Sequence, residues 1–188
     1  MSLIEDETED GIAERVRLER EARGWSLADA AERSGVSKAT ISKIERREAS
    51  PTAVTLVRLA SAFDLTLAGL LARAEASQGP LVRAADQPLW RDPATGYIRR
   101  QLFQQADHPL ELVAIDLPEG ARVGLPAASY ARIRQVVWVI AGRLVIDEGG
   151  QRRELAAGDC LAFGPPADTV FSSEAREPCT YLVAIARA

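Results

Sequence analysis

The spacing of apolar residues changes near residue 75, and this change limits the possible folds more than any other feature of the chain. Before it, apolar side chains recur three or four positions apart, as in Ile12/Val16 and Ile41/Ile44, which is the spacing of one helix face. After residue 90 they occur in short runs separated by glycine and proline turns, a pattern typical of β-strands. The sequence therefore predicts an α + β protein of two domains, with an all-helical domain first and an all-β domain second.

Local start and stop signals set the expected boundaries. Ser26 with Asp29 has the spacing of a capping box, and Gly35 precedes the next helix start at Ser37. We predict an acidic N-terminal arm over 1–10, a helical domain over 11–74, a linker over 75–90 and a β-barrel domain over 91–188. The predicted helices are 10–22, 26–33, 37–46, 52–62 and 66–74, and the predicted strands are Tyr97–Phe103, Leu110–Leu117, Gln135–Ile140, Arg143–Ile146, Cys160–Phe163 and Tyr181–Ile185.

Charge is distributed unevenly along the chain. The net charge is −4, yet residues 11–75 carry eleven basic residues against nine acidic ones, because many acids lie in the arm over 1–10. An acidic start differs from a secretory signal, which begins with basic residues. No apolar run approaches the roughly 18 residues that span a bilayer, and two cysteines are too few for a disulfide scaffold. We therefore expect a cytoplasmic protein without a membrane partner.

The segment from Ser26 to Glu48 has the pattern of a helix-turn-helix, two short helices crossing at a steep angle. At about 100° per residue, Ile41 and Ile44 fall on one face of the second helix. Ala39, Ser42, Lys43 and Arg46 fall on the opposite face, with Lys38 beside them. This exposed face is polar and basic and carries no acidic residue, as a helix that enters the major groove of DNA requires.

These positions give the candidate DNA contacts. Lys43 suits guanine O6 and N7, Ser42 suits either groove edge, and Ala39 suits a thymine methyl group. The starts of helices 26–33 and 52–62, with Ser26 and Thr52, suit phosphates. The full predicted DNA-binding set is Ser26, Ser37, Lys38, Ala39, Thr40, Ser42, Lys43, Arg46, Arg47 and Thr52.

Residues 11–74 resemble the Xre (Cro/C1-type) helix-turn-helix of phage and bacterial repressors. The resemblance rests on the strings GVS at 35–37, ISKIE at 41–45 and SPT at 50–52 within a longer match. It implies a five-helix, lambda-repressor-like domain that binds operator DNA through the 37–46 helix. Arg47 departs from the family, which usually has glycine at this helix end; the arginine suits a phosphate contact or a changed loop into Ser50.

Residues 105–186 resemble a cupin barrel (double-stranded β-helix), through turns such as Pro118-Glu119-Gly120 and the segment from Gly158 to Pro165. The family's metal-ligand positions fall on Pro126, Ala128, Gln135 and Val170, none of which offers an imidazole or a carboxylate. The single histidine, His108, lies in a predicted surface turn. Cupin metal centres use about three imidazoles and a carboxylate, so we predict neither a bound metal nor another cofactor.

The sequence also lacks the groups for nucleophilic catalysis, because one histidine in a turn cannot activate a serine or cysteine. A barrel without metal can still bind a small molecule. Alternation along the strands suggests an effector pocket in which Arg132 and Arg134 suit an anion, the alternative being that both arginines face solvent. The predicted lining is Tyr130, Arg132, Arg134, Gln135, Val137, Val139 and Val170.

The sequence thus predicts a non-enzymatic, sequence-specific transcription regulator that responds to a small-molecule effector. We expect a homodimer held by the barrel, through strand edges and Trp138, on a near-palindromic double-stranded DNA operator. Two alternatives are a metal-dependent helix-turn-helix–cupin oxidoreductase, which the missing ligands disfavour, and a regulator whose barrel serves only dimerisation.

Overall fold

The computed structural model describes residues 3–65, 67–71, 81–105, 108–131, 133–173 and 177–187. The chain divides into two compact units, Met1–Ala76 and Ser77–Ala188. The first unit is helical and the second is built from antiparallel strands, which confirms the predicted fold class. Among the described residues, no helix is long and apolar enough to cross a membrane.

The described residues of the helical unit form five helices: α1 (Leu3–Ala22), α2 (Leu27–Ser34), α3 (Lys38–Glu45), α4 (Ala53–Ala62) and α5 (Leu67–Leu71). Side chains from all five form its core, including the buried Val16, Ala30, Ile41, Leu56 and Leu70. The apolar spacing seen in the sequence is therefore the spacing of residues that turn toward one shared core.

Capping residues fix the starts of the middle helices. Ser26 accepts a hydrogen bond from the Asp29 amide while Asp29 accepts one from the Ser26 amide, which confirms the capping box. Gly35 has φ 66° and ends α2 in the left-handed region, where a side chain would be strained.

The helix ends differ from prediction at the two extremes of the unit. Helix α1 begins at Leu3, so residues 3–10 of the predicted acidic arm belong to the helix. Acidic residues are favourable near a helix N-terminus because they oppose the positive end of its dipole. The final residues predicted for the fifth helix, 72–74, lie outside the described residues, as do residues 75–80 of the predicted linker.

The second unit has two sheets. The strands are β1 (Leu89–Arg91), β2 (Ile98–Phe103), β3 (Leu110–Leu117), β4 (Arg122–Leu125), β5 (Ile133–Ala141), β6 (Arg143–Glu148), β7 (Gln151–Ala156), β8 (Cys160–Ala162), β9 (Thr169–Ser172) and β10 (Cys179–Arg187). The six-stranded sheet has the order β1-β2-β3-β10-β5-β8, and the four-stranded sheet has the order β4-β9-β6-β7. Phe171 of β9 stacks on Tyr181 of β10 with ring centroids 6.0 Å apart, so the inner faces of the two sheets meet.

Strand β5 alternates strictly between the two faces of its sheet. Gln135, Val137 and Val139 are buried, whereas the residues between them are exposed. Three of the exposed residues are large and apolar: Val136, Trp138 and Ile140. One face of β5 therefore lines the barrel interior, and the other presents an apolar strip, which we call the β5 outer strip (Val136, Trp138, Ile140).

Four strands were not predicted. Strand β1 lies inside the segment predicted as a linker, and a short 3-10 helix at Ala84–Asp86 precedes it, so ordered structure of the second unit begins before residue 91. Strand β7 has the polar sequence QRRELA and lies at a sheet edge with one buried residue, so it carries almost no hydrophobic signal. Strands β4 and β9 have four residues each, too few to display a period.

Candidate functional site

The exposed side of α3 has the polar and basic character predicted for a DNA-reading helix. Ile41 and Ile44 are 0% and 1% exposed and anchor the opposite side. Lys38, Ala39 and Lys43 are exposed, and Thr40 and Ser42 are half-buried beside them. The helix has no acidic residue in its first turn, so its N-terminal amides present positive potential without a nearby carboxylate.

Arg46 follows α3 and is held by two neighbours. Its Nε and one terminal nitrogen donate to the two carboxylate oxygens of Glu48 at 2.7 and 2.8 Å, and the other terminal nitrogen donates to Ser42 Oγ at 2.7 Å. These bonds raise the pKa of Arg46 and hold the pKa of Glu48 below its usual value. The prediction of an acid-free surface was wrong at this point, because Glu48 reaches the helix face from the following turn.

Arg47 adopts φ 62°, in the left-handed region that favours glycine. Its amide donates to Ile44 O at 2.9 Å, and the Glu48 amide donates to Lys43 O at 2.8 Å. This pair of bonds is a Schellman motif, in which the left-handed residue ends the helix. The departure from glycine at Arg47 therefore leaves the helix end unchanged and places a long cation on a strained backbone.

Three helix starts carry residues of the predicted DNA-binding set, of which Ser26 and Thr52 were predicted to contact phosphate. Ser26, Ser37 and Thr52 each accept a hydrogen bond from the amide three residues later, so each hydroxyl caps its own helix. Asp29 places a carboxylate in the first turn of α2, and its hydrogen bonds to Ser26 keep its pKa low. Helices α3 and α4 have no acid in the first turn, so their starts suit phosphate better than the start of α2 does.

A nearly buried ion pair fixes α3 against α1. The Arg20 guanidinium donates to both carboxylate oxygens of Glu45, at 2.6 and 2.8 Å, and also to Trp25 O at 2.9 Å. The two side chains are 13% and 9% exposed, and the hydrogen bonds to Glu45 raise the pKa of Arg20. Because both hydrogen bonds are charge-assisted, this pair sets the position of the end of α3.

A cleft opens between the start of β5 and the loop before β9 in the second unit. It encloses about 260 Å³ when counted with its opening to solvent, while its enclosed part has room for about one water molecule. Its lining is Tyr130, Ile133, Arg134, Gln135, Glu148, Phe163, Gly164, Pro165, Pro166, Ala167 and Thr169.

The predicted effector-pocket residues fall in different places. Tyr130 and Gln135 line the cleft, and Val137 and Val139 lie fully buried farther along the same face of β5. Arg134 lines the cleft as predicted, at its rim, but it is exposed and points to the opposite face of β5 from the buried Gln135. Arg132 lies outside the described residues.

Val170 was wrongly predicted to line the pocket. It lies between Thr169 and Phe171 on β9, both of which are more buried than Val170. Since Phe171 packs against Tyr181 inside the barrel, Val170 points to the opposite face of its sheet, where its partner on β4 is Gly124.

Sequence reasoning missed the polar residues of β2 and β3. Arg99 and Gln101 on β2 and Glu111 on β3 are 5%, 7% and 0% exposed. Their strands were predicted, but the inward face of a strand with several polar residues cannot be recognised before its partners are known.

The barrel residues do not fit the metal centre of a cupin. At the expected ligand positions, Gln135 offers a carboxamide inside the barrel, Ala128 is exposed and Pro126 precedes a 3-10 helix. The buried cation Arg99 would oppose a metal ion, and the only histidine packs against Phe103 at the end of β2. Among the described residues, no group of three or more His, Cys, Asp or Glu side chains is arranged to hold a metal ion.

Comparisons with known proteins agree with this architecture. Residues 16–70 match the helix-turn-helix family HTH_3. The chain is 26% identical over 152 residues to the HTH-type transcriptional regulator SutR of Escherichia coli strain K12, covering 81% of each protein. It is 24% identical over 180 residues to the HTH-type transcriptional regulator PuuR of the same strain, covering 94% of this chain and 96% of PuuR.

A solved structure extends the agreement over both units. The crystal structure of an HTH_3 family transcriptional regulator from Vibrio cholerae matches with a TM-score of 0.79 at 24% identity, over 96% of this chain and 97% of that one. The fold of that regulator therefore covers the helical unit and the barrel together. Residues 16–70 thus match a helix-turn-helix family, and the chain as a whole is similar in sequence to HTH-type transcriptional regulators and in fold to an HTH_3 family regulator.

Proposed function

We propose that this protein binds a near-palindromic DNA operator as a homodimer and changes that binding when its barrel takes up a small-molecule effector. The observation that carries the DNA-binding part is the exposed side of α3, where Lys38, Ala39 and Lys43 face outward over a buried Ile41–Ile44 anchor. A short helix with this surface has the dimensions and chemistry of a major-groove reader.

Dimer formation is supported by the β5 outer strip. Trp138 and Ile140 are 49% and 46% exposed on the outer face of the six-stranded sheet, beside half-buried Leu182 of β10. An exposed row of large apolar side chains on a sheet is a typical protein-binding surface. A second copy is the occupant we propose, because one short recognition helix reads too few base pairs for specificity in a genome.

Effector binding is supported by the cleft beside Tyr130 and Gln135 and by the polar residues buried behind it. The narrowness of its enclosed part favours a second candidate function, in which the barrel only dimerises the protein. In the first candidate function a ligand alters DNA affinity, and in the second it does not. Measuring DNA affinity while a candidate ligand is titrated into the protein distinguishes them.

The experiment that tests the proposed function is selection of bound sequences from a random DNA library with the full-length protein. We expect an enriched motif of two inverted half-sites whose centres lie about 34 Å, or a multiple of that distance, apart. Recovery of sequences without a shared motif, at an affinity that depends only on salt, would contradict sequence-specific binding.

A further inference from the structure

An arginine is buried in the wall of the barrel. Arg99 lies on β2, directly opposite Trp90 of β1 and Ile115 of β3, and it is 5% exposed. Burial lowers its pKa, while the charge of Glu111 acts in the opposite direction. No hydrogen bond joins the guanidinium to another residue in the part of the chain that the structure describes. A buried guanidinium without hydrogen bonds is costly unless something else accepts from it.

Other buried polar atoms in the same barrel also lack partners among the described residues. They are Gln101 Oε1, Gln135 Nε2, Tyr130 Oη and Trp90 Nε1. Gln101 Nε2 donates to the carbonyl oxygens of Phe103 and Leu112 at 2.9 and 3.2 Å, so the amide orientation is fixed and Oε1 is the free acceptor. The set therefore consists of several donors and one acceptor, each more than nine-tenths buried.

Strand register relates this set to the cleft. Arg99 pairs with Ile115 of β3 and Ile115 pairs with Tyr181 of β10, so Arg99 and Tyr181 lie on the same face of the six-stranded sheet. Burial raises the pKa of Tyr130 and Tyr181, so both phenols remain neutral hydrogen-bonding groups at physiological pH. Tyr130 lines the cleft and lies close to Gln135 and Thr169 without a hydrogen bond of normal geometry to either.

A row of aromatic rings joins Tyr181 to the cleft. The rings of Tyr181, Phe171, Phe163 and Tyr130 follow one another with centroids 5.9–6.1 Å apart, and Trp90 meets Tyr97 edge to face at 5.6 Å. An apolar wall with a few convergent polar atoms is the usual composition of a small-molecule site.

We propose that the barrel binds a small organic acid, with its carboxylate on Arg99 and a hydroxyl or amino group that donates to Gln101 Oε1. Gln135 Nε2 and Tyr130 Oη are further donors to the acid along the path from the cleft. The guanidinium matches a carboxylate in planar geometry and in charge, and Gln101 selects acids that also carry a donor. This inference rests on the proposed effector sensing and gives it a ligand class.

The narrow cleft limits the ligand to a few heavy atoms or requires side chains at its mouth to move aside. The residues at the mouth include the loop Gly164–Ala167, which is largely exposed and carries two prolines. A two- or three-carbon hydroxy or amino acid is therefore the size class to test first.

The test uses the full-length protein with glycolate, lactate and glycine as probes, and with glycolamide and lactamide as matched uncharged controls. Binding is measured by calorimetry and by the shift in the thermal midpoint, which rises when a ligand binds the native state. We expect the carboxylates to raise the midpoint and the amides to leave it unchanged. Arg99→Met should weaken carboxylate binding by about tenfold or more, since it removes a charge-assisted pair.

Two further variants keep the test decisive. Gln135→Leu loses no hydrogen bond made by the Gln135 side-chain amide, so it should stay folded and weaken the carboxylates severalfold. Arg143→Met removes an exposed cation on β6, away from the cleft lining, and should bind them like the wild type. The proposal is wrong if no probe acid binds, or if binding survives in both Arg99→Met and Gln135→Leu. Operator binding measured on the same samples separates this failure from a failure of the regulator assignment.

Discussion

Arg46 and Glu48 form a two-pronged ion pair on the surface proposed to meet DNA, with nitrogen–oxygen distances of 2.7 and 2.8 Å. Both side chains are at least half exposed, so the pair contributes little to folding. A phosphate that approaches Arg46 must either displace the Glu48 carboxylate from the guanidinium or share the guanidinium with it. We therefore predict that the Glu48 carboxylate weakens DNA binding.

Glu48→Gln should bind all DNA sequences severalfold more tightly than the wild type. The substitution frees Arg46 for phosphate and removes a negative charge near the DNA, so the dependence of affinity on salt should steepen by up to about one unit. Fluorescence anisotropy with operator and random duplexes across a salt series measures both effects. The matched control is Glu154→Gln, which breaks an exposed ion pair with Arg152 in the barrel and should change neither.

The Arg20–Glu45 pair should matter for stability far more than the Arg46–Glu48 pair. Glu45→Gln replaces the carboxylate that pairs with the nearly buried Arg20 guanidinium by an uncharged amide. This should lower the free energy of unfolding by about 2–4 kcal/mol. We expect faster hydrogen exchange in the peptides that cover α3 and α4, with the barrel peptides unchanged. The double variant Arg20→Met/Glu45→Met should recover part of the loss, and equal exchange in all variants would contradict a positioning role for this pair.

The backbone of Arg47 gives a prediction that separates strain from charge. Arg47→Gly removes the cation and relaxes the left-handed residue, whereas Arg47→Ala removes the cation and keeps the strain. The glycine variant should be more stable than the alanine variant by about 1 kcal/mol, measured by hydrogen exchange of the slowest amides in the helical unit.

Both Arg47 variants should lose DNA affinity to the same extent if the side chain contacts phosphate. Different affinities for the glycine and alanine variants would mean that the shape of the turn, and not the charge, governs binding.

Local rules predicted the helical unit well because its signals lie within a few residues of each other. The Ser26–Asp29 capping box, the turn at Gly35 and the Ile41–Ile44 anchor each depend on one turn of chain. Helical periodicity also identified the exposed side of α3. It missed Glu48 because the contact with Arg46 is made from the turn beyond the helix.

The barrel was less predictable because the neighbours of its strands are distant in sequence. Alternation correctly placed Gln135, Val137 and Val139 on one face of β5. Arg134 was predicted on that same face, although a residue next to Gln135 in a strand points to the opposite face. The inward position of Arg99 depends on pairing with Trp90 and Ile115, which a pattern along β2 alone does not reveal. The edge strand β7 was missed because sheet edges favour polar sequences.

The proposed dimer predicts a specific effect at the β5 outer strip. Trp138→Glu places a charge in the apolar contact and should convert the homodimer to a monomer, measured by size-exclusion chromatography with light scattering. Leu18→Glu is the matched control, because Leu18 is 44% exposed in the helical unit and should tolerate the charge. A dimer that survives Trp138→Glu but dissociates with Leu18→Glu would move the interface to the helical unit.

The central claim is that α3 reads the DNA sequence. Lys43 tests this claim directly, because its side chain is exposed on α3. Lys43→Ala should lose discrimination at one base pair of each half-site, at a cost of about 1–3 kcal/mol on the preferred operator and little on random DNA. Arg47→Ala should instead weaken both duplexes alike and reduce the salt slope by about one unit. Arg143→Ala, an exposed arginine in the barrel, is the control for loss of a positive charge.

The deciding measurement is the ratio of operator affinity to random-duplex affinity for wild type and Lys43→Ala, taken at several salt concentrations. We predict that this ratio falls by about tenfold or more in Lys43→Ala and stays constant in Arg47→Ala and Arg143→Ala. An unchanged ratio in Lys43→Ala, with the protein folded and dimeric, would contradict the assignment of α3 as the helix that reads the DNA sequence.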